Sequence, residues 1–304
     1  MNPKVKKVLV GLGALVGGVL IAGGAYAYSL VHAFDTSVET VYSVPVPVLA
    51  RSTDPAVIAR GKHLAEAVAS CATRDCHGND GAGGKLLEIG PIGNFQGPNI
   101  TPAGIAAVYT DGELARLVRH GIKKDGRTVR FMPVGDFTWL SDADVVAVIS
   151  FVRSLPPVEK PNGPVKVGVV GKILDRRDFF PLDIARKIDH EKLEVAPAPE
   201  PTAAYGRFLV RLCTGCHGEH LAGGPIPGAP PSMPVPLNLT PHETGLHDWT
   251  YDDFAKLLAT GIRKNGKAVD PMMPSESFGK MDDTEKHAIW EYLRTVPPLP
   301  FGSR

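Results

Sequence analysis

Apolar residues form one long run near the start of the chain and short helical patterns after it. The run covers positions 8–31 without a charged side chain, and lysines precede it at positions 4, 6 and 7. That length is enough to cross a bilayer as a helix. Because the lysines come first, we expect the remainder to lie outside the cytoplasm. A cleaved signal peptide, with an A-x-A-like site at positions 25–27, predicts the same export.

Beyond position 50, helix-start signals occur in the same order twice. Each places a capping residue three positions before an acidic one, which is typical of helix N-termini. The four pairs are Thr110 with Glu113, Ser141 with Asp144, Thr250 with Asp253, and Asp282 with Glu285. Further helices are expected over 55–69 and 201–212. No window alternates in the manner of a strand, so we expect an all-α fold.

The same motifs occur once in the first half of the chain and again, in the same order, in the second. Positions 71–84 read CATRDCHGNDGAGG, and positions 213–224 read CTGCHGEHLAGG. Asn-Ile-Thr-Pro at 99–102 matches Asn-Leu-Thr-Pro at 238–241, and Met-Pro at 132–133 matches Met-Pro at 273–274. Two copies indicate duplicated domains rather than a solenoid. We expect an anchor or signal peptide over 1–34, domains over 51–158 and 201–304, and a linker over 159–200.

The size of the domains and the composition of the chain limit the classes of function that are expected. Domains of about 100 residues have small cores and gain from a large apolar cofactor. The linker is long, so we expect parts of it to lie on the domains. The 33 Lys and Arg against 32 Asp and Glu give a net charge of +1, which argues against nucleic acid as the main partner. Four cysteines in 304 residues are too few for a disulfide scaffold.

The spacing Cys213-x-x-Cys216-His217 is typical of covalent haem attachment. Two thiols reach the two vinyl groups of one porphyrin, and the neighbouring His meets the iron. Cys71, Cys76 and His77 have four residues between the cysteines, and we expect the two extra residues to loop out. Zinc would need a fourth ligand. A disulfide would leave the histidines unexplained, and a thioredoxin-type site would need βαβ surroundings.

A haem iron with one His needs a sixth ligand or stays open, and methionine is scarce in this chain. Met132 follows His77 at nearly the same distance along the sequence as Met273 follows His217. Both methionines precede a proline. We therefore expect Met132 and Met273 to be the sixth ligands, with Met272 as the alternative to Met273. A Met ligand raises the reduction potential of the iron.

On these residues the chain resembles class I cytochromes c, twice over, across about 54–157 and 201–298. The resemblance implies two covalent haem c groups, each in a crevice between His and Met. It also implies that a glycine of the first helix packs on an aromatic residue of the last. The pairs in question are Gly61 with Phe151 and Gly206 with Tyr292.

The resemblance extends to the haem surroundings. The carbonyl of Pro98 is expected to accept the ring N–H of His77, as groups behind metal ligands do. In the second copy Pro236 is displaced by one position. Two Asn and two Thr residues are expected to line the haem edges, and simple turn chemistry is their alternative role. These are Asn99, Thr101, Asn238 and Thr240.

The copies look most like cytochrome subunits of membrane-bound alcohol, aldehyde and gluconate dehydrogenases, which usually carry three haems. The expected function is electron transfer, without enzymatic activity, by a dihaem protein on the periplasmic side of the inner membrane. A membrane dehydrogenase, a quinol oxidoreductase or a terminal oxidase would be the redox partner. The alternative is a dihaem enzyme, peroxidase-like or thiosulfate-oxidising, that binds substrate at the first haem. A third interpretation is an assembly subunit inside a larger respiratory complex, with the same electron-transfer chemistry and a different partner.

Overall fold

The first helix, α1 (Pro3–Ser37), joins the apolar run to the folded body. The structure is a computed structural model that describes residues 2–304. Helix α1 is long and apolar enough to cross a membrane, and its most apolar stretch is not buried by the rest of the chain. Its last turns are different, because Phe34 and the capping residue Val38 are buried against Phe95 and Leu182. The candidate anchor is therefore built into the body that follows it.

The first half contains three α-helices: α2 (Pro55–His63), α3 (Asp111–His120) and α4 (Asp142–Ser154). A π-helical turn, Leu64–Val68, continues α2. The predicted capping box of Thr110 and Glu113 is present, and Ser141 caps α4. Helices α2 and α4 cross in contact, because a methyl group on Gly61 would overlap the carbonyl of Ala147 and lie 3.0 Å from the Cβ of Phe151. The predicted pairing of Gly61 with Phe151 is confirmed.

The second half repeats this plan. Its helices are α6 (Ala203–Leu209), α7 (Arg211–His217), α8 (Tyr251–Thr260), α9 (Ser275–Phe278) and α10 (Asp283–Leu293). Gly206 meets the carbonyl of Ala288 and the Cβ of Tyr292 as Gly61 meets its partners. The helix predicted over 201–212 is broken near Val210, and its continuation carries the second Cys-His motif. Both capping boxes predicted here are present.

A small sheet pairs two strands of the first half with one strand of the segment that follows it, and that segment also forms a further helix. Strands β1 (Leu87–Glu88), β2 (Gly93–Phe95) and β3 (Val165–Val167) pair antiparallel in the order β1-β2-β3. Helix α5 (Val169–Arg176) packs against α1. The fold is mostly helical, as predicted. The strands escaped prediction because two or three residues are too few to show alternation.

The two halves share one apolar core. Trp139 of the first half and Phe208 of the second lie with ring centroids 6.2 Å apart. Leu64, Leu209 and Met281 belong to the same buried cluster. Buried apolar area is the main favourable term in such packing. The halves are therefore held by direct contact as well as by the covalent linker.

Candidate functional sites

In the first half, one apolar cavity brings the Cys-His motif and Met132 together. Its volume is about 460 Å³. Cys71, Cys76, His77 and Met132 all line it, although Met132 comes from a separate segment. The rest of the wall is mostly apolar and includes Phe95, Ile100, Leu114, Leu117, Phe131, Phe137, Val148 and Ile149. Two thiols, an imidazole and a thioether around an apolar space are the set of groups that a covalently bound haem c requires.

The ring of His77 is held by the backbone. Its Nδ1–H donates to the carbonyl of Pro98 at 2.9 Å, as predicted. Nε2 has no hydrogen-bond partner among residues 2–304. Burial lowers the pKa of His77, and the Pro98 carbonyl only partly opposes this. The ring is therefore neutral, which is the form that binds a metal, and the free nitrogen is the one available for an iron.

The wide spacing of Cys71 and Cys76 is absorbed by a turn. Ser70 has a positive φ of 51°, and Thr73 donates from its hydroxyl to the Ser70 carbonyl. The amide of Cys76 donates to the Thr73 carbonyl, and the amide of His77 donates to the Cys71 carbonyl. The extra residues loop out as expected, and both thiols still face one cavity. Burial raises the pKa of Cys71 to about 12, so the thiol stays protonated.

Methionine 132 follows an unusual backbone conformation. Phe131 has a φ of 71°, a left-handed value that is rare for a bulky side chain. Its ring stacks on Phe95 with centroids 4.5 Å apart, and Phe95 packs against Phe34 at the end of α1. Strained residues of this kind persist where their surroundings hold them in place. Phe131 and Phe95 therefore join the cavity wall to the end of α1, and neither was singled out from the sequence.

In the second half, the motif lies on a regular helix. Cys213, Cys216 and His217 belong to α7, and the Nδ1–H of His217 donates to the carbonyl of Leu237 at 2.6 Å. The displaced proline, Pro236, is not the acceptor. The backbone position just before Asn238 supplies the carbonyl, as Pro98 does before Asn99. Burial lowers the pKa of His217 in the same way as that of His77.

The two methionine candidates of this half differ in burial. Met273 packs against the apolar core that also receives Cys213. The side chain of Met272 is 52% exposed. A methionine sulfur that ligates a buried cofactor has to be shielded from water. The position of Met273 therefore suits a ligand better than that of Met272.

The buried Asn and Thr pairs tie down the segment that closes each half. Asn99 accepts from the amide and hydroxyl of Thr101 and donates to the carbonyl of Val158 at 2.8 Å. Asn238 accepts from the amide of Thr240 and donates to the carbonyl of Leu299 at 2.7 Å. Neither Asn99 nor Thr101 lines the first cavity. A direct role at the haem edges stays a prediction, and the turn role is the one that their bonds display.

The two sites adjoin. Asp136 stands four positions after Met132, and its charge acts on Cys213 of the second half. Burial raises the pKa of Asp136 to about 7, with Arg211 acting in the opposite direction. Trp139 donates from its ring N–H to the Asp136 carbonyl at 2.6 Å. Asp136 thus lies near both cysteines of the second half. No local sequence signal marks Asp136, because its neighbours come from the other half.

The zinc and disulfide alternatives gain no support. In the part of the chain that the structure describes, no disulfide joins any of the four cysteines. Within residues 2–304, one cluster of three side chains has metal-binding geometry, namely His63, Asp282 and Glu285, and it contains no cysteine. The guanidinium of Arg60 already lies 3.5 Å from Glu285 in that cluster. Arg60 therefore already supplies a positive charge that balances the carboxylate of Glu285.

Comparisons with known proteins agree with this geometry. The family model described as Cytochrome c matches residues 58–156 and 203–297. The cytochrome c subunit of a quinone-type alcohol dehydrogenase from Gluconacetobacter polyoxogenes is 30% identical over 81% of this chain and 57% of its own length. The fructose dehydrogenase cytochrome subunit of Gluconobacter japonicus is 28% identical over 79% of this chain and 52% of its own length.

A shorter match involves the cytochrome c subunit of a gluconate 2-dehydrogenase from Pantoea cypripedii. It is 35% identical over 102 residues, which is 31% of this chain and 23% of that protein. The chain spans only about half the length of the alcohol and fructose dehydrogenase subunits. Each range of the family match contains one Cys-His motif, with Met132 in the first range and Met272 and Met273 in the second.

Proposed function

Because this chain belongs to the cytochrome c family, we propose that it carries two covalently bound haem c groups and relays single electrons through them. The observation that carries the proposal is the cavity lined by Cys71, Cys76, His77 and Met132. In the second half, Cys213 and Met273 both pack against the apolar core that the two halves share. Each family range thereby supplies one complete set of haem-binding groups.

Each residue has a separate task in this proposal. The two cysteine pairs hold the cofactors by thioether bonds, and His77 and His217 offer Nε2 to the iron. Met132 and Met273 would supply a sulfur ligand to each iron. Haem iron supplies the chemistry by changing between Fe(II) and Fe(III). The carbonyls of Pro98 and Leu237 fix the histidine rings, and the apolar wall excludes water.

The domain arrangement suits a relay. We assign the domains to 51–158 and 201–304, joined by 159–200. Direct packing of Trp139 on Phe208, and the closeness of Asp136 to Cys213, set the two sites at a fixed separation. Transfer between them is then intramolecular and does not depend on domain encounter.

We place the chain in the inner membrane through α1, with both haem domains on the periplasmic side. The lysines at positions 4, 6 and 7 favour this orientation. The burial of Phe34 supports an anchor that is retained as part of the folded body. The names of the relatives favour a dehydrogenase, which we place in the membrane, as electron donor. A quinol oxidoreductase or a terminal oxidase would be a further partner.

Carbon monoxide binding distinguishes the relay from the dihaem enzyme. An enzyme needs an open or displaceable iron site, whereas two His/Met sites are closed. We expect the reduced full-length protein to bind no carbon monoxide and the oxidised protein to show the weak long-wavelength Met–iron absorption. Rapid binding at one haem would favour the enzyme, with the first haem as the suspect because of its unusual cysteine spacing.

A further inference from the structure

Helix α5 runs beside the last turns of α1 and points back toward the membrane. Near its start, the ammonium of Lys172 lies 2.6 Å from the carboxylate of Asp35. Just beyond its end, the guanidinium of Arg177 donates to the hydroxyl of Tyr26 at 3.2 Å. Arg177, which follows Lys172 along the chain, thus contacts Tyr26, which precedes Asp35 on α1. The chain descends along α1 as it passes from Lys172 to Arg177.

The depth of Tyr26 follows from the length of α1. The hydrocarbon core of a bilayer takes about 20 helical residues. Counted from the end of the lysine cluster at position 7, such a span ends near position 27. Tyrosine is enriched at this boundary between hydrocarbon and headgroups. Because Arg177 bonds the hydroxyl of Tyr26, its guanidinium lies at the level of the lipid headgroups.

The turn at this level carries interfacial side chains. Arg177 and Phe179 are exposed, Phe179 to 46%, and the guanidinium carbon of Arg177 lies 5.9 Å from the ring centroid of Phe179. The acidic residue between them, Asp178, is already paired with Arg186 and Lys187. Within residues 2–304, Arg177 has no carboxylate partner. A free cation beside an exposed aromatic ring suits a phospholipid interface.

A loop of the second half lies against the same turn. A Cβ atom on Gly228 would lie 3.6 Å from the Cβ of Phe179 and 3.4 Å from the side chain of Leu174. The loop belongs to an uncharged stretch, positions 221–241, that is rich in proline and apolar residues. Its lack of charge is compatible with contact with lipid. The membrane-facing surface therefore includes the linker and the second half of the body.

We propose that the turn 177–179 and the tip of the loop at 226–231 form a second membrane contact, which binds the headgroup layer of phospholipids. Arg177 bonds phosphate oxygens, and Phe179 enters the boundary between glycerol and acyl chains. The proposal rests on α1 being inserted in the bilayer, as proposed above. Two contacts instead of one tether fix the orientation of both haem domains relative to the membrane.

Three cysteine variants of the full-length protein in phosphatidylglycerol–phosphatidylcholine nanodiscs test this contact. Phe179→Cys probes the turn, and Leu20→Cys probes α1, where the native side chain is 70% exposed. Val108→Cys is the control, since Val108 is 60% exposed and precedes α3, whose Gly112 contacts Pro47 well beyond the end of α1. The readout is the rate of modification by a membrane-impermeant maleimide, measured by intact mass.

We expect Leu20→Cys to be protected and Phe179→Cys to react about tenfold more slowly than Val108→Cys. Equal rates at 179 and 108, with position 20 protected, would overturn the second contact and leave the anchor standing. Rapid modification at position 20 would overturn both. The wild-type protein gives a second test that needs no substitution. A phospholipid that carries a diazirine near its glycerol should label the tryptic peptide 178–186. A peptide without label would contradict the proposal.

Discussion

The Nε2 atom of His63, in α2, lies 2.9 Å from both carboxylate oxygens of Glu285, in α10. The two residues belong to different halves and stand 222 positions apart. The side chain of Glu285 is only 1% exposed, and Arg60 reaches the same carboxylate at 3.5 Å. Glu285 also closes the capping box of α10 with Asp282. One buried carboxylate thus joins the halves and begins a helix.

Removal of that carboxylate charge should loosen the interface. Glu285→Gln removes the carboxylate partner of His63 and one of the two carboxylates beside Arg60, whose other partner is Asp144 at 3.2 Å. Breaking a buried ion pair typically costs about 3 kcal/mol. We expect a lower free energy of unfolding and faster hydrogen exchange in α2 and α10, measured by denaturation and mass spectrometry. Glu291→Gln, at an exposed position of α10, is the control. Equal stability of the two variants would contradict the proposed link.

The pH dependence of the same pair has a definite sign. The hydrogen bond that His63 donates to Glu285 raises the pKa of His63 above its ordinary value, with burial acting in the opposite direction. The stabilisation is fully present below the unfolded pKa of about 6.5. It is lost as the pH rises through the folded pKa. Wild type should therefore lose stability relative to His63→Gln over this interval in denaturation curves, and parallel curves would exclude the pair as the cause.

The glycine contacts between first and last helices allow no side chain. Gly61→Ala and Gly206→Ala each place a methyl group against a backbone carbonyl, and overpacking of this kind costs about 3 kcal/mol. We expect lower thermal stability and reduced haem retention in the half that carries the change. Gly135→Ala is the control, because nothing lies within 4 Å of the added Cβ. If Gly61→Ala left the thermal stability unchanged, α2 and α4 would have to lie farther apart than the close contact at Gly61 indicates.

The methionine assignment predicts independent effects on the two haems. Met132→Ala should lower one reduction potential by roughly 0.1 V or more, since the axial ligand is a main determinant of potential. Met273→Ala should lower the other, and Met272→Ala should change neither, because its side chain is half exposed. A spectroelectrochemical titration of each variant resolves the shifts. Equal shifts of both potentials in one variant would contradict the two-site arrangement.

Local signals predicted much of this molecule. The four pairs of capping residues each mark a helix start, because a cap depends on residues three positions apart. The Cys-His motifs and the Met-Pro pairs depend on spacing along the chain, and the first-half groups do meet at one cavity. The family resemblance also predicts correctly that Gly61 packs on Phe151 and that Gly206 packs on Tyr292.

Features that depend on distant neighbours were not predictable. The acceptor of His217 is the carbonyl of Leu237, and a backbone carbonyl leaves no mark on the residue type that bears it. The sequence around His63 gives no indication of a partner at Glu285, which is 222 positions away. The closeness of Asp136 to Cys213 arises from packing between the halves. The strands at 87–95 and 165–167 are too short to show a pattern.

The number of haem groups per chain is the claim on which the rest depends. Intact mass spectrometry of the denatured full-length protein counts the groups that remain covalently attached. We predict the mass of one chain plus two haems, with Cys71, Cys76, Cys213 and Cys216 all in thioether bonds. A gain of one haem would contradict the assignment of Cys71 and Cys76, and a chain without added mass would contradict the whole account.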